Sequence, residues 1–135
     1  SRNRRKTCIV DFRYLHVFIL FDCGFLMKTQ SAKAKGRRLQ QWFRDLLIER
    51  LDVHPEDIES RSMGAGGEDL IMARAARKIF PYSIECKNQE KVNIWDAYEQ
   101  AQENSGDYEP IVVLKRNKTN PLVLVDAEYF VRLHL

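Results

Sequence analysis

Residues 62–91 read SMGAGGEDLIMARAARKIFPYSIECKNQEK, and the interpretation of the whole chain turns on them. Near the end of this stretch, Tyr82-Ser83-Ile84-Glu85-Cys86-Lys87 is a run of strand-compatible residues with an acid and a base two positions apart. Alternate side chains of a strand point to opposite faces. Glu85 and Lys87 therefore share one face, and Ile84 and Cys86 turn to the other, into a core. Upstream, Gly64-Ala65-Gly66-Gly67 makes a turn, followed by Glu68-Asp69 and the apolar Leu70-Ile71-Met72, a second strand opened by acids. With the two strands side by side, Asp69 and Glu85 converge on one divalent cation, and Lys87 lies a strand step away. Mg²⁺ takes oxygen ligands, often one or two carboxylates, with waters and substrate phosphate completing its shell. That chemistry suits phosphodiester hydrolysis. A solvated sheet edge with incidental charges gives the same letters.

The ordered set is more specific than any of its parts: Arg61-Ser62, the glycines, Asp69 before an apolar strand, Glu85-x-Lys87, then an amphipathic helix. It resembles the PD-(D/E)XK nuclease superfamily, most closely its small archaeal-type Holliday-junction resolvases and small phage endonucleases, from roughly Lys35 to Leu135. The resemblance implies an α/β fold with a restriction-endonuclease-like core, a mixed four- to five-stranded sheet flanked by helices. It implies a Mg²⁺- or Mn²⁺-dependent endodeoxyribonuclease with DNA as partner, acting in recombination and repair on branched DNA. Asp69, Glu85 and the Cys86 backbone carbonyl would hold the ion, and Lys87 would orient the attacking water or stabilise developing charge. Gln100 falls where related nucleases often carry a helical Gln, although a plain surface Gln reads equally well.

One position departs from the family. Its first-helix Glu corresponds here to Gln40, which can hold a metal-bound water but adds no charge. Glu49 is the other acid on that helix, yet at ~100° per residue it lies half a turn around from Gln40. The departure favours a site with fewer protein carboxylates. It also supports a rival reading, a catalytically weak or inactive nucleic-acid-binding protein on a nuclease-like fold.

Outward from the motif, 135 residues allow one domain with a proper core and are too few for two. A net charge of +3 and a pI near 8.8 permit nucleic-acid binding without requiring it. Cys8, Cys23 and Cys86 form no C-x-x-C pair and are odd in number, so neither a disulfide framework nor a zinc site is expected, and a reducing cytoplasm is the default. Basic residues 1–6 followed by apolar Tyr14–Phe21 have the outline of a signal sequence. Asp11, Arg13 and Asp22 break it, and the run falls short of the ~20 residues that span a bilayer. No membrane association is expected. Met27-Lys28-Thr29-Gln30-Ser31 reads as a polar start. We expect residues 1–30 to be an extension and residues 31–135 the nuclease-like domain.

Leu39, Trp42, Phe43, Leu46 and Leu47 recur at helical spacing and predict an amphipathic helix. From Lys28 to Arg50, seven Lys/Arg face only Asp45 and Glu49. Lys33, Lys35, Arg37 and Arg38 are the dense part, either phosphate contacts or a solubilising face. Arg61, Ser62 and Gly64 would flank the DNA backbone, with the glycines permitting close approach. His54, before Pro55, reads as a loop residue or a base. Ile58–Met63 predicts a first strand and Ala73–Ile79 a short helix whose cations face solvent or phosphate. Asn93 is a good N-cap for a helix carrying Ile94, Ala97, Tyr98 and Ala101. Ile111–Leu114 and Leu122–Val125 predict two strands joined by a basic tip, and Ala127–Leu135 a closing helix. Parallel pairing would bury Ile84, Cys86, Val112 and Leu124 between helical layers. Trp95, the hairpin, Tyr129, Phe130 and Leu133 offer material for a homodimer.

Overall fold

The computed structural model describes residues 7–12, 15–20, 30–62 and 66–135. The chain divides into two units, Ser1–Ala32 and Lys33–Leu135. Met27, Cys23 and Gly64 lie outside the described residues. In the N-terminal unit, β1 (Thr7–Phe12) and β2 (Leu15–Leu20) pair antiparallel, with Thr7 opposite Leu20 and Phe12 opposite Leu15. The described part of the apolar run, Leu15–Leu20, is therefore strand. No described helix is long and apolar enough to cross a membrane.

Helix α1 spans Gln30–Leu51. Leu39, Phe43 and Leu47, at i, i+4 and i+8, are its buried face, while Trp42 sits at the exposed rim of the expected stripe. Asp52 ends the helix in the left-handed region, φ 56°, one of the few places where a short polar side chain takes a conformation usually left to glycine. His54 is extended, as a residue before proline should be. Its Nδ1 accepts the Glu56 N–H at 3.2 Å and caps the 3-10 turn Pro55–Asp57. His54 is thus the exposed loop residue of the two expected readings, with a capping role added.

Strand β3 (Ile58–Ser60) pairs antiparallel with β4 (Leu70–Met72), shorter than the predicted Ile58–Met63. Leu70 and Met72 are buried and Ile71 is exposed, the alternation of a sheet with one covered face. The six-residue α2 (Arg74–Ile79) then leads into β5 (Tyr82–Asn88). Helix α3 (Ile94–Glu103) carries the chain to β6 (Glu109–Lys115), which runs parallel to β5. Asn93 caps α3 by accepting the Asp96 N–H at 3.2 Å. Strand β7 (Leu122–Leu124) returns antiparallel to β6, and α4 (Ala127–Arg132), capped by Asp126, closes the fold.

The register pairs Ile84 with Ile111 and Cys86 with Val113 on one face, and Glu85 with Val112 and Lys87 with Leu114 on the other. The first face packs with Leu39, Phe43, Leu47, Ile58, Leu70 and Met72. The second lies under α3, where Ala97 and Ala101 pack on Val112. The expected burial of Ile84, Cys86 and Val112 thus holds, split between two faces, while Leu124 is only half-buried.

The sheet is not the single mixed sheet expected. The unit from Lys33 onward is α/β with a two-stranded β3–β4 sheet and a three-stranded β5–β6–β7 sheet. The two meet where the Asp69 N–H donates to Ile84 O at 2.9 Å. One step further along β5, the Cys86 N–H is taken by the Asp69 side chain, at Oδ2, 2.7 Å, instead of by a backbone carbonyl. A strand donor satisfied by a carboxylate cannot also carry a ladder, and pairing between β4 and β5 stops there.

Candidate active site

That interruption brings the acids together. Asp69 enters the edge of β5 from the start of β4. Glu85, on β5 itself, points to the face covered by α3 and is 3% exposed. Lys87 lies on the same face, its Nζ 3.4 Å from Glu85 Oε1 and donating to Gln100 Oε1 of α3 at 3.0 Å. Gln40, from α1, is 2% exposed. Its Oε1 accepts from Ser60 Oγ at 2.6 Å, and its side chain hydrogen-bonds Asp69. With Oε1 engaged by Ser60, the amide presents N–H to the carboxylate. Gln40 therefore orients Asp69, where the sequence suggested a holder of metal-bound water.

The electrostatics of the two acids follow from this packing. Burial pushes the Asp69 carboxyl above its ordinary value, against the pull of the Cys86 N–H, Lys87, Gln40 and Arg61. Glu85 is pushed up to about 7, first by burial and then by the charge of Asp69, with Lys87 and Asn104 opposing. The Asn104 amide eases ionisation of Glu85 by a side-chain hydrogen bond and also donates to Gly67 O at 3.4 Å. Glu85 Oε2 is left buried and accepts no hydrogen bond. The Cys86 thiol is raised by burial and lies in the core, so this cysteine is no nucleophile.

The donor set can be tested against a hard cation. Among the described residues, no three His, Cys, Asp or Glu side chains cluster as a metal site. What converges here is two carboxylates and a backbone carbonyl. In a strand, a residue's N–H and C=O point to the same side. The Cys86 carbonyl therefore faces the edge at which its N–H meets Asp69. An unpartnered Glu85 oxygen, the Asp69 carboxylate and this carbonyl are oxygen donors of the kind Mg²⁺ takes, and the residues fit the ion.

The basic residues divide. Lys33, Arg37 and Arg38 are exposed on α1, within about two turns of Gln40. Lys35 is half-buried instead, donating to Asn117 Oδ1 at 2.7 Å, while its carbonyl accepts from Asn88 at 2.9 Å. Arg61 donates to Glu68 O at 2.7 Å. Its guanidinium closes on Gly67, where an added Cβ would meet Cζ at 3.2 Å and where φ is +96°. Gly67 is thus required for its backbone conformation, and a side chain there would also crowd the Arg61 guanidinium. Ser62 is exposed. Arg77 was expected on a surface or against phosphate, yet it turns inward onto Glu68. Glu49 is exposed, on the side of α1 away from Gln40.

Three site residues escaped the sequence reading. Ser60 gave no signal, because a lone serine ending a short strand has no pattern. Asn104 could have been found, lying one helical turn beyond Gln100 and so on the same side of α3. Arg77 was hidden among surface-like cations. Compared with family models, curated proteins and solved structures, the chain matches none.

Proposed function

We propose that this chain is a divalent-metal-dependent endonuclease that hydrolyses DNA phosphodiester bonds, with a restriction-endonuclease-like core of the PD-(D/E)XK kind. The observation that carries the reading is Glu85 Oε2, a buried carboxylate oxygen without a hydrogen bond, beside the second, half-buried carboxylate of Asp69. Two neighbouring acids taken from water are costly to ionise unless a positive charge joins them. Asp69, Glu85 and the Cys86 carbonyl would hold Mg²⁺ or Mn²⁺. When bound, such an ion polarises the phosphate and lowers the pKa of a coordinated water.

The side chains around it do the positioning. Gln40, itself fixed by Ser60, keeps Asp69 turned to the shared edge. Gln100 holds the Lys87 ammonium at 3.0 Å on the face of Glu85. There the cation stabilises negative charge developing on a phosphate, charge that a fixed donor meets without reorganisation. Lys33, Arg37 and Arg38 supply phosphate contacts on the approach along α1. Branched DNA is the proposed substrate and the cytoplasm the proposed location. Paired cuts across a junction need two copies of the site, which a C₂ homodimer supplies. Trp95, 83% exposed, with Leu122 and Phe130 also exposed, is available for that contact.

The test is incubation with four-way junction, duplex and single-stranded DNA in Mg²⁺, Mn²⁺ and chelator. Cleavage with either ion and none in chelator is expected, fastest on the junction. DNA binding without cleavage in any condition would replace the enzyme with the nucleic-acid-binding rival. Absence of both would end the nuclease reading.

A further inference from the structure

We infer that Arg77 is a positioning residue for this site: its guanidinium, in place of a strand ladder, holds Asp69 against β5. The two carboxylates stand on separate sheets that share one backbone hydrogen bond, Asp69 N–H to Ile84 O at 2.9 Å, and one side-chain link, Cys86 N–H to Asp69 Oδ2 at 2.7 Å. Leu70 and Met72 of β4 pack in one core with Ile84 and Cys86 of β5, but apolar packing sets no register, and Arg77 is a polar group that reaches both strands. Its Nη2 pairs with the Glu68 carboxylate, immediately before Asp69. Its Nε donates to Met72 O, the last residue of β4, at 3.3 Å, and its Nη1 to Tyr82 O, the first of β5, at 3.5 Å. Its Cζ stacks 4.2 Å over the Tyr108 ring, just ahead of β6.

Both ends of β4 are thereby tied to the start of β5 by one planar group. Only Arg offers five donors in a rigid fork. The side chains of Arg77 and Glu68 are 13% and 14% exposed, so the pair is largely shielded from water. Glu68 is gripped a second time, its carbonyl accepting from Arg61 Nε at 2.7 Å. The residue next to Asp69 is thus fixed through both side chain and backbone, and the direction in which Asp69 leaves β4 follows. Arg77 touches neither carboxylate of the proposed metal site, so its effect passes through Glu68.

The experiment uses the full chain and its Arg77→Lys variant, which keeps the charge but loses the fork. Amide hydrogen exchange reads the junction directly. The Asp69 and Cys86 amides should exchange roughly tenfold faster or more in Arg77→Lys, the scale of one lost charge-assisted hydrogen bond. Amides of the β5–β6 ladder should keep wild-type rates. Mn²⁺ affinity, followed by electron paramagnetic resonance, should fall roughly 10–100-fold, as when the support of a metal ligand is removed. Wild-type rates at Asp69 and Cys86 would overturn the inference. So would equal acceleration throughout β5 and β6, which marks general loosening. Should Arg77→Lys not fold, Glu68→Gln meets the same criteria from the other side of the pair. The Mn²⁺ arm rests on the proposed metal site and the exchange arm does not. Wild-type protein that binds no Mn²⁺ ends the metal reading, while exchange at Asp69 and Cys86 still decides the role of Arg77.

Discussion

Strand β5 has two edges, and they are used in opposite ways. Along one, all seven residues from Tyr82 to Asn88 pair in parallel with β6. Along the other, one backbone hydrogen bond reaches β4 before a carboxylate takes the next donor. The first edge is held by repeated hydrogen bonds and by apolar side chains buried on both faces. The second shares the core through Leu70 and Met72, but in place of a ladder it has a few charged and polar groups: Asp69 on Cys86, Gln40 on Asp69, Arg77 across both sheets. An extended ladder there would satisfy the edge with backbone and leave no place for converging carboxylates. The two acids come together because the sheet stops.

Substitution at the open edge should remove chemistry and leave the fold. Asp69→Ala, Glu85→Ala and Lys87→Ala are each expected to lower cleavage roughly 10²–10³-fold or more, the scale of losing one preorganised charge at a reacting centre. Circular dichroism should remain that of the native chain. Glu85→Ala should also weaken Mg²⁺ binding in calorimetric titration, whereas Lys87→Ala should not. Full activity in any one variant would remove that residue from the mechanism.

The paired edge should respond the other way. Ile84 is fully buried, opposite Ile111 and against the α1 face of the core. Ile84→Ala should cost about 2–5 kcal/mol of stability, through lost burial and the cavity left behind. Urea denaturation measures it. A cost below about 1 kcal/mol would mean that this edge carries less of the fold than its burial indicates.

A pH titration separates the two edges without mutation of the core. Glu85 has its folded pKa raised from 4.5 to about 7, so the native state keeps a proton that the unfolded chain releases. In metal-free protein the Glu85 contribution to stability is therefore fully present below pH 4.5 and is lost as pH rises through 7. The shift corresponds to about 3 kcal/mol at full expression, and Asp69, raised for the same reason, acts in the same direction. Denaturation midpoints at several pH values should fall across this window for wild type and flatten in Glu85→Gln. Mg²⁺ at pH 8 should restore part of the loss by binding the folded state. A flat wild-type profile would place Glu85 in contact with more water than its burial allows.

This contrast also explains what the sequence could reveal. The parallel pair was legible because Ile84, Cys86 and Val112 are apolar at strand spacing, and burial follows from that alone. Glu85 and Lys87 on one face, and Asp69 ahead of an apolar strand, were legible for the same periodic reason. The break between the sheets was not. It depends on the Asp69 side chain reaching a donor on another strand, which no local pattern encodes. Gln40 looked like a loss of function in one dimension, but Ser60, twenty residues away, turns it into a support for Asp69. Arg77 carried the same letters as a surface cation and acts as a tie because Glu68 and Tyr108 surround it. Residues whose role is set by period were read, and those whose role is set by a distant partner were not.

The smallest expected effect concerns approach to the open edge, and here the structure divides a cluster that the sequence treated as one. Lys33, Arg37 and Arg38 are exposed, whereas Lys35 holds Asn117 at 2.7 Å in the turn between β6 and β7. An ammonium already given to a side-chain oxygen is poorly placed to meet phosphate. Replacing Lys33, Arg37 and Arg38 singly by Gln should each reduce the slope of log binding constant against log salt by roughly 0.9 on duplex DNA, one released counterion per lost contact. Lys35→Gln should leave the slope within error and instead loosen the turn, read as faster exchange of the Asn117 amide, which donates to Glu90 Oε1 at 2.8 Å. Fluorescence anisotropy at several salt concentrations measures all four slopes. Equal slopes for the three exposed residues and wild type would assign them to solubility. A full reduction for Lys35 would show that its bond to Asn117 yields to DNA, and the division drawn between the four cations would fall.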